Sequence, residues 1–271
     1  MGSQIAEVLA RHGADVLVIE GSEDLADAGR SRINASLDRA MNRGRLEEAE
    51  RETISSRIDV SIQLSDLADA DLVIEAATED PEAKRAIFAR LGEIAGPDAP
   101  LASNTSSIPI MDLALASGQP ERVIGMHFFN PPTTMELVEI IPAETTGAEI
   151  IDLVEAYATE TLGKRCVRVR DEAGFIVNRL LIPFVNDAIE LLDDEVATRD
   201  DIDAAAKLGL AHPMGPLALA DLIGLDTVMA IGEILAAAHG DERSEPPDLL
   251  REMVEEGRLG RKTGRGFYDY D

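Results

Sequence analysis

At 271 residues the chain is long enough for two modest domains with cores of their own, and 45% hydrophobic residues fits a soluble globular protein. A formal net charge of −27 argues against nucleic acid or an acidic membrane surface as a partner, and no apolar run approaches the ~20 residues that a membrane helix needs. Cys166, the single cysteine, excludes an internal disulfide and a cysteine-based metal cluster, and the absence of a basic-then-apolar leader makes the cytoplasm the expected compartment. The acids are scattered (Glu47-Glu48, Asp193-Asp194-Glu195, Asp200-Asp201, Glu255-Glu256), and the only lysines are Lys84, Lys164, Lys207 and Lys262. They read as a solvated acidic surface of the kind that suits a salt-rich interior, where screening suppresses repulsion.

In chain order, Gly2 to about His12 reads as a helix and Asp15–Ile19 as a buried strand, with an acid, Glu20, at its end. This resembles the back half of a dinucleotide-binding βαβ unit, with Gly2 as the third glycine of the motif and Glu20 where a ribose-binding carboxylate belongs. A first strand and two glycines of that motif would stand before Met1, so the natural chain is expected to begin roughly 10–15 residues earlier, and two strands are expected to lack ladder partners. Glu23 to Arg57 reads as two helices broken near Arg43-Gly44-Arg45. Strands follow at Ile58–Ile62 and Asp71–Ala76, a helix from Pro81 to Ala95, strands at Pro100–Ser103, Val123–His127 and Leu137–Ile141, a helix over Ala148–Leu162 and a strand at Arg165–Val169. This alternation predicts an α/β domain on a doubly wound parallel sheet over residues 1–170. From Asp171 the pattern turns helical (Gly174–Leu192, Arg199–Leu208, Leu217–Leu222, Asp226–Ala238), which predicts an all-helical domain over 171–271.

Four segments carry the chemistry: Asn104-Thr105-Ser106-Ser107, His127-Phe128-Phe129-Asn130-Pro131, Glu139, and Gly174-Phe175-Ile176-Val177-Asn178-Arg179. His127 ends an apolar strand and runs into an Asn-Pro turn, at the sheet edge where α/β ligands bind. Glu139, flanked by apolar residues on the next strand, needs a partner if buried. Spacing alone leaves both a His-Glu dyad and a structural histidine open.

Together these segments resemble the 3-hydroxyacyl-CoA dehydrogenases, NAD-dependent enzymes, over nearly the whole chain. Asp171-Glu-Ala-Gly-Phe-Ile-Val-Asn-Arg179 with Pro183, His212-Pro213-Met214-Gly215-Pro216, Gly224-Leu225-Asp226 and Gly264-Arg265-Gly266-Phe267-Tyr268 carry the likeness. The resemblance implies a Rossmann-type domain followed by a helical one, an acyl-CoA substrate in the cleft between them, and a homodimer formed through the helical domain. It implies His127 as general base, Glu139 as its partner, and Ser106 and Asn178 as hydrogen-bonding groups for the reacting oxygen or the thioester carbonyl. It places Gly2, Glu20, Glu79, Lys84, Ser106, Asn130 and Lys262 around NAD, and Ser36, Arg43 and Ser106 along the CoA. Glu20 stands where the family has an aspartate, and Arg43 where it has a lysine.

Each residue has a plainer alternative. Ser106 could cap a following helix, Asn178 could cross-link helices, Lys84 could be a solvated surface charge, Glu20 an ordinary strand-end acid, and Cys166 inert packing. Two rival functions also stand: a related dehydrogenase of a free hydroxy or sugar acid, and a catalytically impaired fragment unable to hold NAD.

Overall fold

In the computed structural model, which describes residues 1–270, helices alternate with short strands up to Arg168 and only helices of any length follow. The chain divides into two compact units, Met1–Asp171 and Glu172–Asp271.

The first unit opens with α1 (Gly2–Arg11), β1 (Val16–Ile19), α2 (Glu23–Asn42), α3 (Glu48–Ser56) and β2 (Ile58–Ser61). β1 and β2 run parallel and form a two-stranded sheet of their own. A second sheet, in the order β3-β4-β5-β6-β7, comprises β3 (Val73–Glu75), β4 (Leu101–Ser103), β5 (Val123–Phe128), β6 (Leu137–Pro142) and β7 (Arg165–Arg168). β1 therefore pairs only with β2, and β3 only with β4. α1 ties the two layers together: Ile5 and Val8 sit in the core of the larger sheet, and Ala10 in the smaller core with Ile33, Leu37, Ile54 and Ile58.

One strand departs from the expected parallel sheet. β6 is antiparallel to β5, while β3-β4, β4-β5 and β6-β7 are parallel. The reason lies in the connections. A parallel return needs a crossover of a dozen residues or more. α4 (Pro81–Ile94), α5 (Ile110–Ser117) and α6 (Ala148–Ala156) supply such crossovers, whereas residues 129–136 alone join β5 to β6. α4 starts as its sequence predicts: Pro81 fills the first turn, and Asp80 accepts a hydrogen bond from Ala83 N at 2.7 Å. α6 ends earlier than predicted, because its continuation over Tyr157–Thr161 widens into a π-turn.

The second unit contains α7 (Val177–Asp193), α8 (Arg199–Gly209), α9 (Pro216–Ile223), α10 (Leu225–His239) and α11 (Asp248–Glu255). α7 begins three residues later than expected, because Gly174 (φ 75°) and Phe175 (φ 51°) are left-handed. A Cβ on Gly174 would stand 2.4 Å from Leu235 Cδ2, so this turn has room only for glycine. The helices close around Val185, Ile189, Leu217, Val228, Leu235 and Leu250. Two buried aspartates fasten the tail. Asp203 accepts from Leu217 N, Ala218 N and the Tyr268 hydroxyl, and Asp221 from Phe267 N, Tyr268 N and the Tyr270 hydroxyl, all between 2.9 and 3.0 Å. No helix among the described residues is long and apolar enough to cross a membrane.

Candidate active site

β5 and β6 bring the histidine and the acid together by register. His127 and Glu139 are direct cross-strand partners, and His127 Nδ1 lies 2.8 Å from Glu139 Oε2. Glu139 has no exposure and the His127 side chain 9%, so the carboxylate is committed to the imidazole in a site of low dielectric. Nδ1 is thus the ring nitrogen turned to the carboxylate. Phe129 packs its ring edgewise on His127 at 4.7 Å between centroids. The antiparallel turn of β6 thus converts a twelve-residue spacing into a buried dyad.

Beside it, the turn after β4 holds the serines. Asn104 Oδ1 accepts from Phe128 N at 2.9 Å, tying this turn to the end of β5. Ser106 is anchored twice on Glu79 Oε1, through its amide at 2.9 Å and its hydroxyl at 3.2 Å. Thr105 Oγ1 (2.6 Å) and Ser107 Oγ (3.0 Å) donate to the same oxygen. The capping alternative for Ser106 fails, since the first amides of α5, Ile110 and Met111, are bound by Asp171 at 2.8 and 2.7 Å. Burial would raise the Glu79 carboxyl, but the Thr105, Ser106 and Ser107 bonds and the charge of Lys84 hold it below the ordinary carboxylate value.

Lys84 is neither the solvated surface charge its acidic neighbourhood suggested nor an open cation. Its side chain is 1% exposed, with Glu75 at 2.7 and 2.8 Å and Glu79 at 3.7 Å. The ammonium is enclosed by two acids, of which Glu79 is the more exposed. Glu75 is a site residue that sequence reasoning did not single out, and Asn104 stood there only as part of its four-residue segment. The alternation Val73-Ile74-Glu75, an acid closing an apolar strand, was the available signal for Glu75.

At the other edge, Gly2 opens α1, whose N-terminus has no side-chain cap and no acid in its first turn. A Cβ on Gly2 would meet Ala76 at 3.8 Å, an ordinary contact, so close packing does not itself demand glycine there. Glu20, at the end of β1, is partly exposed, and Arg32 on α2 approaches it at 3.6 Å. Ser36 is half-buried and Arg43 exposed, two turns apart along α2 and its C-cap. Asn130 is exposed in the turn after β5.

Two expected residues lie in the second unit. Asn178 is buried in the first turn of α7, and Lys262 is ion-paired with Asp226 at 2.5 and 2.6 Å. The asparagine that does cross-link this unit is Asn186, donating to Arg243 O and Glu245 O at 3.0 Å. Burial and Glu155 push the Cys166 thiol up to about 11, which suits inert packing.

The model of the 3-hydroxyacyl-CoA dehydrogenase NAD-binding domain matches residues 1–172, and that of the family's C-terminal domain matches 174–270. A 3-hydroxybutyryl-CoA dehydrogenase of Mycobacterium tuberculosis (strain CDC 1551 / Oshkosh) is 48% identical over all of this chain and 95% of its own length. A probable 3-hydroxybutyryl-CoA dehydrogenase of Deinococcus radiodurans is 47% identical over all of this chain and 96% of its own. Among solved structures, FadB2 of M. tuberculosis superimposes with a TM-score of 0.99 at 47% identity, covering 100% of this chain and 95% of that one. The (S)-3-hydroxybutyryl-CoA dehydrogenase PaaH1 of Ralstonia eutropha gives 0.93 at 43% with the same coverage. The chain belongs to the 3-hydroxyacyl-CoA dehydrogenase family.

Proposed function

We propose that the protein interconverts (S)-3-hydroxyacyl-CoA and 3-oxoacyl-CoA with NAD, and that His127, held by Glu139, is the general base. The observation that carries this reading is the buried 2.8 Å contact between His127 Nδ1 and Glu139 Oε2 at the end of β5. His127 takes the proton of the 3-hydroxyl, and Glu139 stabilises the imidazolium that results. Ser106 and Asn178 hydrogen-bond the reacting oxygen or the thioester carbonyl.

The residues present fit a dinucleotide. The uncapped N-terminus of α1 suits a pyrophosphate, and Glu20 at the end of β1 suits a ribose diol while repelling a 2′-phosphate. Asn130 would lie by its nicotinamide end, and Glu79, Lys84 and Lys262 would complete the site. Bound there, NAD would supply the acceptor for the hydride that leaves carbon 3. Ser36 and Arg43 hold the CoA, with Arg43 on phosphate. Expected is NADH-dependent reduction of acetoacetyl-CoA by the chain, with free acetoacetate and sugar acids left unreduced. Equal rates on a free acid would favour the rival dehydrogenase, and no detectable NADH binding by fluorescence the impaired fragment.

The second unit is proposed to form a homodimer, in keeping with Leu180, Val196, Leu208 and Leu210 at 60–87% exposure. The charge of −27 supports a cytoplasm rich in salt as the working medium. Repulsion should relax as the Debye length falls from about 30 Å at 0.01 M to 3 Å at 1 M. The melting temperature should climb from dilute buffer to molar KCl, and a flat or falling curve would remove the salt adaptation while leaving the activity untouched.

A further inference from the structure

A lysine is almost never fully buried unless paired, and the Lys84 ammonium has more than one partner. Glu75, closing β3, sets both carboxylate oxygens on it at 2.7 and 2.8 Å. Glu75 is fixed in turn: its Oε1 accepts from Ala77 N at 2.7 Å and its Oε2 from Ser103 Oγ, at the end of β4, at 2.9 Å. On the far side of the ammonium, Glu79 Oε2 stands at 3.7 Å, beyond hydrogen-bond range but well inside charge range. The other oxygen of Glu79 holds the Thr105-Ser106-Ser107 turn by four contacts. A chain of charge and hydrogen bonds therefore runs from the tip of β3 to the Ser106 hydroxyl.

Neutralising a buried charge does not require this layout. A well-packed apolar pair in place of Glu75 and Lys84 would hold the fold as well or better. What the ion pair adds is a cation placed toward Glu79, which must stay ionised to accept from three hydroxyls and an amide on one oxygen.

We infer that Glu75 is a positioning residue for the reaction: through Lys84 it keeps Glu79 charged and in place, and so sets the seat of the Ser106 hydroxyl. The inference rests on the reading above that Ser106 meets the reacting oxygen or the thioester. Glu75 touches neither substrate nor cofactor. It acts at two removes, and its effect belongs in turnover.

The test measures melting temperature, kcat and KM for acetoacetyl-CoA reduction by the full chain in four variants. Glu75→Gln strands the ammonium and should lower both stability and kcat. Glu75→Gln/Lys84→Met removes both buried charges, so its melting temperature should return close to that of the unaltered protein. Its kcat should stay about 10–100-fold low, the scale on which a misplaced reacting group loses rate. Glu79→Gln, at a side chain 42% exposed, should lose kcat by a similar factor while melting near the unaltered protein. Ordinary kcat in the stable double variant, or in Glu79→Gln, overturns the inference. Ser106→Ala separates the two levels. If it is impaired while the others are not, the relay alone fails; if it is fully active, the reading of Ser106 fails and the relay with it.

Discussion

His127→Gln should lower acetoacetyl-CoA turnover by about 10²–10⁴-fold, the range that a positioned general acid–base contributes. The glutamine approximates the length of the imidazole and hydrogen-bonds Glu139, but it does not carry a proton to and from the substrate oxygen. NADH affinity should be nearly unchanged, because the role proposed for the ring is toward the reacting oxygen. Glu139→Gln should show a smaller loss, because the glutamine does not stabilise an imidazolium electrostatically. Steady-state kinetics with a fluorescence titration of NADH separates the two effects. A well-folded His127→Gln with ordinary turnover would remove the dyad from the mechanism.

Asp221→Ala should be among the most destabilising single changes in the second unit. Asp221 is 1% exposed and binds three donors from the tail: Phe267 N, Tyr268 N and the Tyr270 hydroxyl. Gly260 and Gly266 crowd against it so closely that a Cβ on either would fall within 2.3 Å of its atoms, which leaves alanine unable to bring the tail closer. Bonds to a charged acceptor are worth about 1.5–3 kcal/mol each, and buried donors left unpaired add to the loss, so about 3–5 kcal/mol should go. For a protein of this size that is roughly 10 °C of melting temperature. Burial and Asp221 together push the Tyr270 phenol up to about 12. In the variant it should titrate lower, visible as an earlier rise of phenolate absorbance. Melting within a degree of the unaltered protein would mean that the tail is held elsewhere.

The strands and most helices of the first unit were legible because each is a short apolar run or an amphipathic stretch bounded by turn residues. One helix was read only at its start, and another, in the second unit, was not read. α5, Ile110–Ser117, is apolar on most of its surface and takes its cap from Asp171, some sixty positions away, which no local pattern reveals. α11, Asp248–Glu255, is strongly amphipathic but follows Pro246-Pro247, which reads as punctuation although proline belongs at a helix entrance. Of the candidate site, His127 and Glu139 were legible as partners through motif and spacing, while the antiparallel strand that joins them was not. Glu75, Asn104 and the inward turn of Lys84 depend on which strand tips the sheet order places side by side, and that order is a property of the fold, not of any window of sequence.

Two separate backbone ladders run through the first unit. β1 and β2 share a ladder only with each other, beneath α2 and α3 and around a separate small core. Opening that layer severs none of the backbone bonds that hold β3 to β7, so the two layers can unfold at different free energies. Glu20 follows β1 in the lighter layer, and His127 lies on β5 in the heavier one. A ligand that touched both layers would couple two openings that the backbone ladders leave separate.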